Sequence, residues 1–269
     1  MNTKSKSTLE KLENILRFEA YAENSIKTYC GYAELFLNHF NKDVYHISVS
    51  EAENFLLNYS YTSISQQNQI ISAIKHLYKK VVGRKLITSK IKRPRKQKKL
   101  PRVIDAEQLA IKIKSIKNLK HRAILTLGLS CGLRISEVIN MKWEHLDRNR
   151  NILKVINGKG NKDRSCVLNN DTIELLENYW KTHRSKIYVF NGQNSLQYSQ
   201  TSIQNLVKKY IHPKASFHLL RHSYATYAID NGTELKPLSV SMGHNSTKTI
   251  ERFYFHQSQR TLKTIKQAI

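Results

Sequence analysis
The sequence predicts a mainly α protein of two domains, an N-terminal four-helix bundle followed by a larger, mostly helical domain with one small antiparallel β hairpin. Three features carry this. Apolar residues recur three and four apart in both halves of the chain, as one face of a helix requires. A lysine- and arginine-rich stretch with two prolines breaks that period between Arg84 and Pro101. Two short apolar runs flank a glycine-containing turn at Asn157 to Lys162, the pattern of paired strands.

The first domain, residues 1–83, is read from Leu9, Leu12, Ile15 and Leu16, then Ile26, Tyr29, Ala33, Phe36, Leu37 and Phe40. Two more helices are expected, from Glu51 to Tyr59 with Ser50 as the cap, and from Gln66 to Val82. Residues 84–102 form a linker holding Lys92, Arg93, Arg95, Lys96, Lys98 and Lys99. Such a run is either a solvated tether or a strap laid along phosphates, and its charge density favours the strap. The second domain, 103–269, contains the expected strands Asn151 to Ile156 and Asp163 to Leu168. The turn between them presents Lys159 and Lys162, and with Arg164 these are expected to face a polyanion.

Charge narrows the function. The 269 residues hold 45 lysines and arginines against 20 acidic residues, a formal charge of +25, and nucleic acid is the partner such a surface calls for. No apolar run approaches the roughly 20 residues needed to span a bilayer. The first residues, Met1-Asn2-Thr3-Lys4, lead into charged helix-like sequence without a signal-peptide core, so a cytoplasmic location is expected. Cys30, Cys131 and Cys166 form no CxxC pair, which argues against a zinc site or a disulfide framework and for three small apolar fillers. With no Walker lysine loop, GxGxxG or HExxH, no cofactor or metal is expected, and side chains must do the chemistry.

Those side chains sit in short clusters. Arg134 and Glu137 are three apart near the start of a helix, which taken alone is an ordinary ion pair. His218 and Arg221 repeat the spacing, placing a guanidinium fork beside an imidazole that can donate to the same phosphate or move a proton. Gly243 is read as the end of a helix just before His244, and Tyr254 follows on a short helix.

In this order the clusters resemble the tyrosine recombinases, also called lambda-type integrases. Gly132-Leu133-Arg134-Ile135-Ser136-Glu137 resembles the family's first arginine box, Gly158 to Arg164 its lysine hairpin, and His218 to Arg221 its HxxR box. Gly243-His244 and Tyr254-Phe255-His256 resemble its last two boxes. The resemblance implies a core-binding, SAM-like N-terminal domain, a compact Xer-like or small phage-type layout, and four protomers on two double-stranded DNA sites. It implies Arg134 and Arg221 as phosphate clamps, His218 as proton acceptor, Lys159 as acid for the leaving oxygen, His244 as hydrogen-bond donor and Tyr254 as nucleophile. Glu137 is read as a support that orients Arg134 or His218. Tyr254 stands ten residues after His244, where many members have nine, the place of Phe253. Two alternatives stay open: a DNA-binding relative that has lost its nucleophile, and a type IB topoisomerase. The segment Thr261 to Ile269 either closes its own core or docks on a neighbouring subunit.

Overall fold
A computed structural model describes residues 3–40, 42–84, 93–94, 104–156, 163–243 and 251. The chain divides into two compact units, Met1–Lys98 and Lys99–Ile269. Among the described residues no helix is long and apolar enough to cross a membrane.

Among the described residues the first unit holds four helices: α1 (Thr3–Phe18), α2 (Glu23–Phe40), α3 (Val49–Asn58) and α4 (Ile64–Leu77). A 3₁₀ turn at Val44–His46 precedes α3, and a π turn at Tyr78–Val82 follows α4. The apolar stripes meet in one core of Leu12, Leu16, Ile26, Phe36, Leu37, Ile70, Ile74, Leu77 and Tyr78. Burying one such side chain contributes about 1.5–3 kcal/mol, so this core outweighs the weak intrinsic preferences of its helices. The cap of α3 is Ser48, not Ser50. Its hydroxyl accepts from the Glu51 N–H at 3.2 Å while the Glu51 carboxylate accepts from the Ser48 N–H at 2.8 Å, satisfying two orphan donors at once. After α4, Arg93 Nη2 donates to Ser72 Oγ at 3.0 Å and Asn68 Nδ2 to Pro94 O at 3.5 Å, so residues 93 and 94 lie against that helix.

The second unit comprises α5 (Ala106–Lys114), α6 (Leu119–Ser130), α7 (Ile135–Ile139), α8 (Asn170–His183), α9 (Gln200–Tyr210), α10 (His218–Asp230) and α11 (Leu235–Ser241). Side-chain caps from Asp105, Asn118, Asn169 and Ser199 start α5, α6, α8 and α9. The core gathers Ile124, Leu125, Leu127, Leu176, Phe190, Phe217 and Leu220. The expected hairpin is a three-stranded antiparallel sheet, β1 (Leu146–Asp147), β2 (Ile152–Val155) and β3 (Arg164–Val167), in the order β1-β2-β3. Register pairs Leu153 with Cys166 and Val155 with Arg164. Cys131 and Cys166 are buried free thiols, and burial pushes the Cys131 thiol up to about 12. The helix expected around Tyr254 and the segment Thr261 to Ile269 lie outside the described residues.

Candidate active site
The site is built around the end of α11. A helix leaves its last carbonyls without intrahelical donors and with partial negative charge, so cations settle there. Here three arginines from three elements do so on consecutive residues. Arg164 Nε donates to Ser241 O at 2.7 Å, Arg221 Nη2 to Met242 O at 2.5 Å, and Arg134 Nη2 to Gly243 O at 2.8 Å. The next residue in the sequence is His244.

Each arginine arrives by a local device. Arg134 stands at the start of α7, as expected. It caps α7 from an extended conformation, φ −76° and ψ 153°, and its own N–H donates to Glu137 Oε2 at 2.7 Å. Its Nη1 also meets Glu137 Oε1 at 2.8 Å, so the carboxylate holds both ends of the residue. Its side chain is 19% exposed. Arg221, on α10, is 1% exposed, and its Nη1 donates to the carbonyl of Gly132. In this state a phosphate reaches Arg221 only after the atoms that cover it move.

Arg164 is the largest departure from the expected site. Placed by its sequence on a DNA-facing hairpin, it turns inward, with its side chain 5% exposed. Its Nη1 and Nη2 grip Glu137 Oε1 and Oε2 at 2.6 and 2.7 Å. A guanidinium spent on this fork and on Ser241 has left the surface, so Arg164 is withdrawn from the phosphate-contacting set. Burial would raise the Glu137 pKa, but the hydrogen bonds and charge of Arg164, then the backbone and side chain of Arg134, outweigh it and hold the carboxyl at about 2. Glu137 is therefore ionised at neutral pH, and it supports Arg134 as a fixed anion.

His218 opens α10, exposed to solvent, its ring 4.4 Å from that of His222 in an edge-on arrangement. Desolvation by the surrounding protein, then the charges of Arg221 and Arg134, push its pKa below the ordinary value. Because the residue is open to water, the two guanidiniums are the more durable part of that effect. A neutral imidazole can accept a proton.

Two glycines let the arginines converge. Gly132 and Gly243 have φ of +57° and +62°. A Cβ on Gly243 would stand 3.2 Å from Arg164 Nη1 and 3.3 Å from Arg134 Nη1, and one on Gly132 would stand 2.5 Å from Tyr224 Cδ1. Gly132→Ala is expected to cost about 1–2 kcal/mol from left-handed backbone strain alone. Displacement of the Tyr224 ring adds to that loss, which urea denaturation will measure.

The structure thus brings together Arg134, Glu137, His218 and Arg221. Arg93 is exposed on the first unit. Lys159, His244, Tyr254, Lys162, Lys92, Arg95, Lys96, Lys98 and Lys99 fall outside the described residues. Tyr224, the carbonyls of residues 241 to 243 and the inward role of Arg164 were not anticipated. Trp143 packs on Tyr179 with its Nε1 on Ser185 Oγ at 3.0 Å, whereas Trp180 is exposed beneath the Arg184 guanidinium.

Comparison with known proteins agrees with this layout. Residues 8–88 match the phage integrase N-terminal SAM-like domain, and residues 97–260 match the phage integrase family. The tyrosine recombinase XerA of Pyrococcus horikoshii is 30% identical over 272 residues, covering 97% of this chain and 92% of that one. Among solved structures, the XerH site-specific recombinase bound to palindromic difH substrate aligns with a TM-score of 0.71 at 21% identity, over 88% of this chain and 78% of that chain. The Tn1549 transposon integrase in complex with circular intermediate DNA aligns at 0.67 and 17%, over 95% and 97%. At those identities the two structures establish the fold alone. The family match spans more than half of the 269 residues and the XerA likeness nearly all of them, so the chain belongs to the phage integrase family, the tyrosine recombinases.

Proposed function
We propose that this chain cuts and rejoins double-stranded DNA at specific sites in the cytoplasm, through a 3′ phosphotyrosine on Tyr254, with four copies acting on two sites. The observation that carries this reading is the docking of Arg134 and Arg221, far apart in sequence, on the consecutive carbonyls of Gly243 and Met242. A phosphodiester repels nucleophiles, and attack adds charge to its nonbridging oxygens, so a catalyst must supply fixed positive charge there. Two guanidiniums held by backbone carbonyls supply it once the atoms that cover Arg221 have moved.

The steps balance without a cofactor. Tyr254 Oη forms a bond to phosphorus as the bond to the 5′ oxygen breaks. A phenol of pKa near 10 is ionised about one time in a thousand at neutral pH, so a base must take its proton. His218, neutral and beside both arginines, fills that role. Lys159 protonates the departing 5′ oxygen, and His244 donates to the phosphate. The phosphotyrosine keeps the bond energy, so the 5′ hydroxyl of a second duplex reverses the step and joins new partners. Lys92, Arg93, Arg95, Lys96, Lys98, Lys99 and Lys162 bind phosphates along the duplex, with affinity that falls as salt rises.

The test is a nicked suicide duplex carrying a site selected by binding from a random pool, followed by denaturing electrophoresis. The unaltered chain is expected to give a covalent protein–DNA band, and Tyr254→Phe to bind without one. Salt-sensitive binding with no band from the unaltered chain would overturn the reading in favour of a DNA binder whose nucleophile was lost at Phe253. Relaxation of supercoils with no joining of separate duplexes would favour a topoisomerase.

A further inference from the structure
The inward turn of Arg164 gives the cluster a property that its outer members lack. Glu137 has two carboxylate oxygens with about four acceptor positions, and all are used. Oε1 accepts from Arg164 Nη1 at 2.6 Å and Arg134 Nη1 at 2.8 Å, while Oε2 accepts from Arg164 Nη2 at 2.7 Å and the Arg134 N–H at 2.7 Å. The third donor of Arg164, Nε, holds Ser241 O at 2.7 Å, two residues before the carbonyl that receives Arg134. Arg164 therefore joins β3, α7 and the end of α11 through one planar group.

Charge makes this more than a brace. Arg134 and Glu137 alone sum to zero, and an anion saturated by Arg134 would cancel much of the field that Arg134 presents to a phosphate. Arg164 offsets that anion from the buried side. With it, Arg134, Arg164, Arg221 and Glu137 carry a net +2, matching the two negative charges of a phosphodiester at the point of attack. Without it the net is +1. The neighbouring sites are consistent: a Cβ on Gly243 would touch both Arg164 and Arg134, so the two guanidiniums sit side by side against the turn.

We infer that Arg164 is a positioning residue for strand cleavage: by neutralising Glu137 and tethering Ser241, it keeps Arg134 in place and positively charged toward the scissile phosphate. This rests on the recombinase reading above. It assigns a task in the cleavage step to a residue whose guanidinium is buried on Glu137 and Ser241.

The test compares Arg164→Gln and Arg164→Lys with the unaltered chain on two suicide duplexes. One carries an ordinary phosphodiester at the cleavage point, the other a methylphosphonate that removes one negative oxygen. With the ordinary duplex, Arg164→Gln is expected to cleave on the order of 100-fold more slowly at saturating protein, with affinity nearly unchanged. Arg164→Lys, which keeps the charge and loses the fork, is expected to fall between them. On the methylphosphonate duplex the deficit of Arg164→Gln should shrink, because less positive charge is then needed; a fold defect gives equal deficits on both. Cleavage by Arg164→Gln at the unaltered rate, or equal deficits on the two duplexes, overturns the inference. Should Arg164→Gln not fold, Arg164→Lys, which keeps the charge, is judged on the ordinary duplex alone: slower cleavage with unchanged affinity supports the inference, and cleavage at the unaltered rate overturns it. Absence of cleavage by the unaltered chain sinks the recombinase reading itself, which separates the two failures.

Discussion

Arg221→Lys is expected to bind a duplex nearly as tightly as the unaltered chain and to cleave it on the order of 10²–10³ times more slowly, the usual effect of removing one donor to developing charge. The geometry explains why a conserved charge does not suffice. Arg221 spans two carbonyls on different elements, Gly132 O after α6 and Met242 O after α11. One ammonium cannot hold both and also offer two parallel donors to a phosphate. Being 1% exposed, Arg221 contributes little to encounter with DNA, which the basic surface governs, so affinity and rate should separate. Single-turnover cleavage of a suicide duplex at saturating protein measures the rate free of binding. A rate close to that of the unaltered chain would remove Arg221 from the phosphate clamp.

Much of this fold was legible because burial leaves a period. The stripes of α2 and α4 could be read from spacing, whereas Arg134, Glu137, His218 and Arg221, an ordinary ion pair and a weak motif when taken singly, were picked out by their order along the chain and the family resemblance that it carries. Other features left no readable period. In β3 alternation puts Arg164 on the face of Cys166 and Leu168, both buried, while Val167 stands 77% exposed. The period therefore turns Arg164 inward; what it does not show is the carboxylate of Glu137, from another element, that meets the charge there. The two-residue strand β1 is too short to show any alternation. The carbonyls of residues 241 to 243 have no sequence signature, since every residue carries one. Only the glycines at 132 and 243, each in the left-handed region, marked where backbone and guanidinium meet. The cap of α3 was only half readable: Ser48 and Glu51 stand at capping-box spacing, but so do Ser50 and Glu53, and the two pairs look alike in the sequence.

Glu137→Gln should be the most destabilising single change at the site, by about 3–5 kcal/mol at neutral pH, because it leaves a buried guanidinium facing an amide. Two routes agree on the size. Glu137 and Arg164 are each 5% exposed at the side chain, so solvent screens their attraction little. The carboxyl sits at about 2 in the folded chain against an ordinary 4.5, which corresponds to about 3 kcal/mol. A depressed folded value means that the stabilisation is complete above 4.5 and drains away as the pH falls toward 2, where the unaltered residue is itself protonated. Urea midpoints of the two proteins should therefore differ by a constant amount from pH 7 down to about 4.5 and converge below it. Convergence beginning near pH 6 would mean that a histidine, not this carboxylate, governs the difference. The same charge that stabilises the fold also fixes Arg134 from two sides, so the variant should lose cleavage at every pH at which it remains folded.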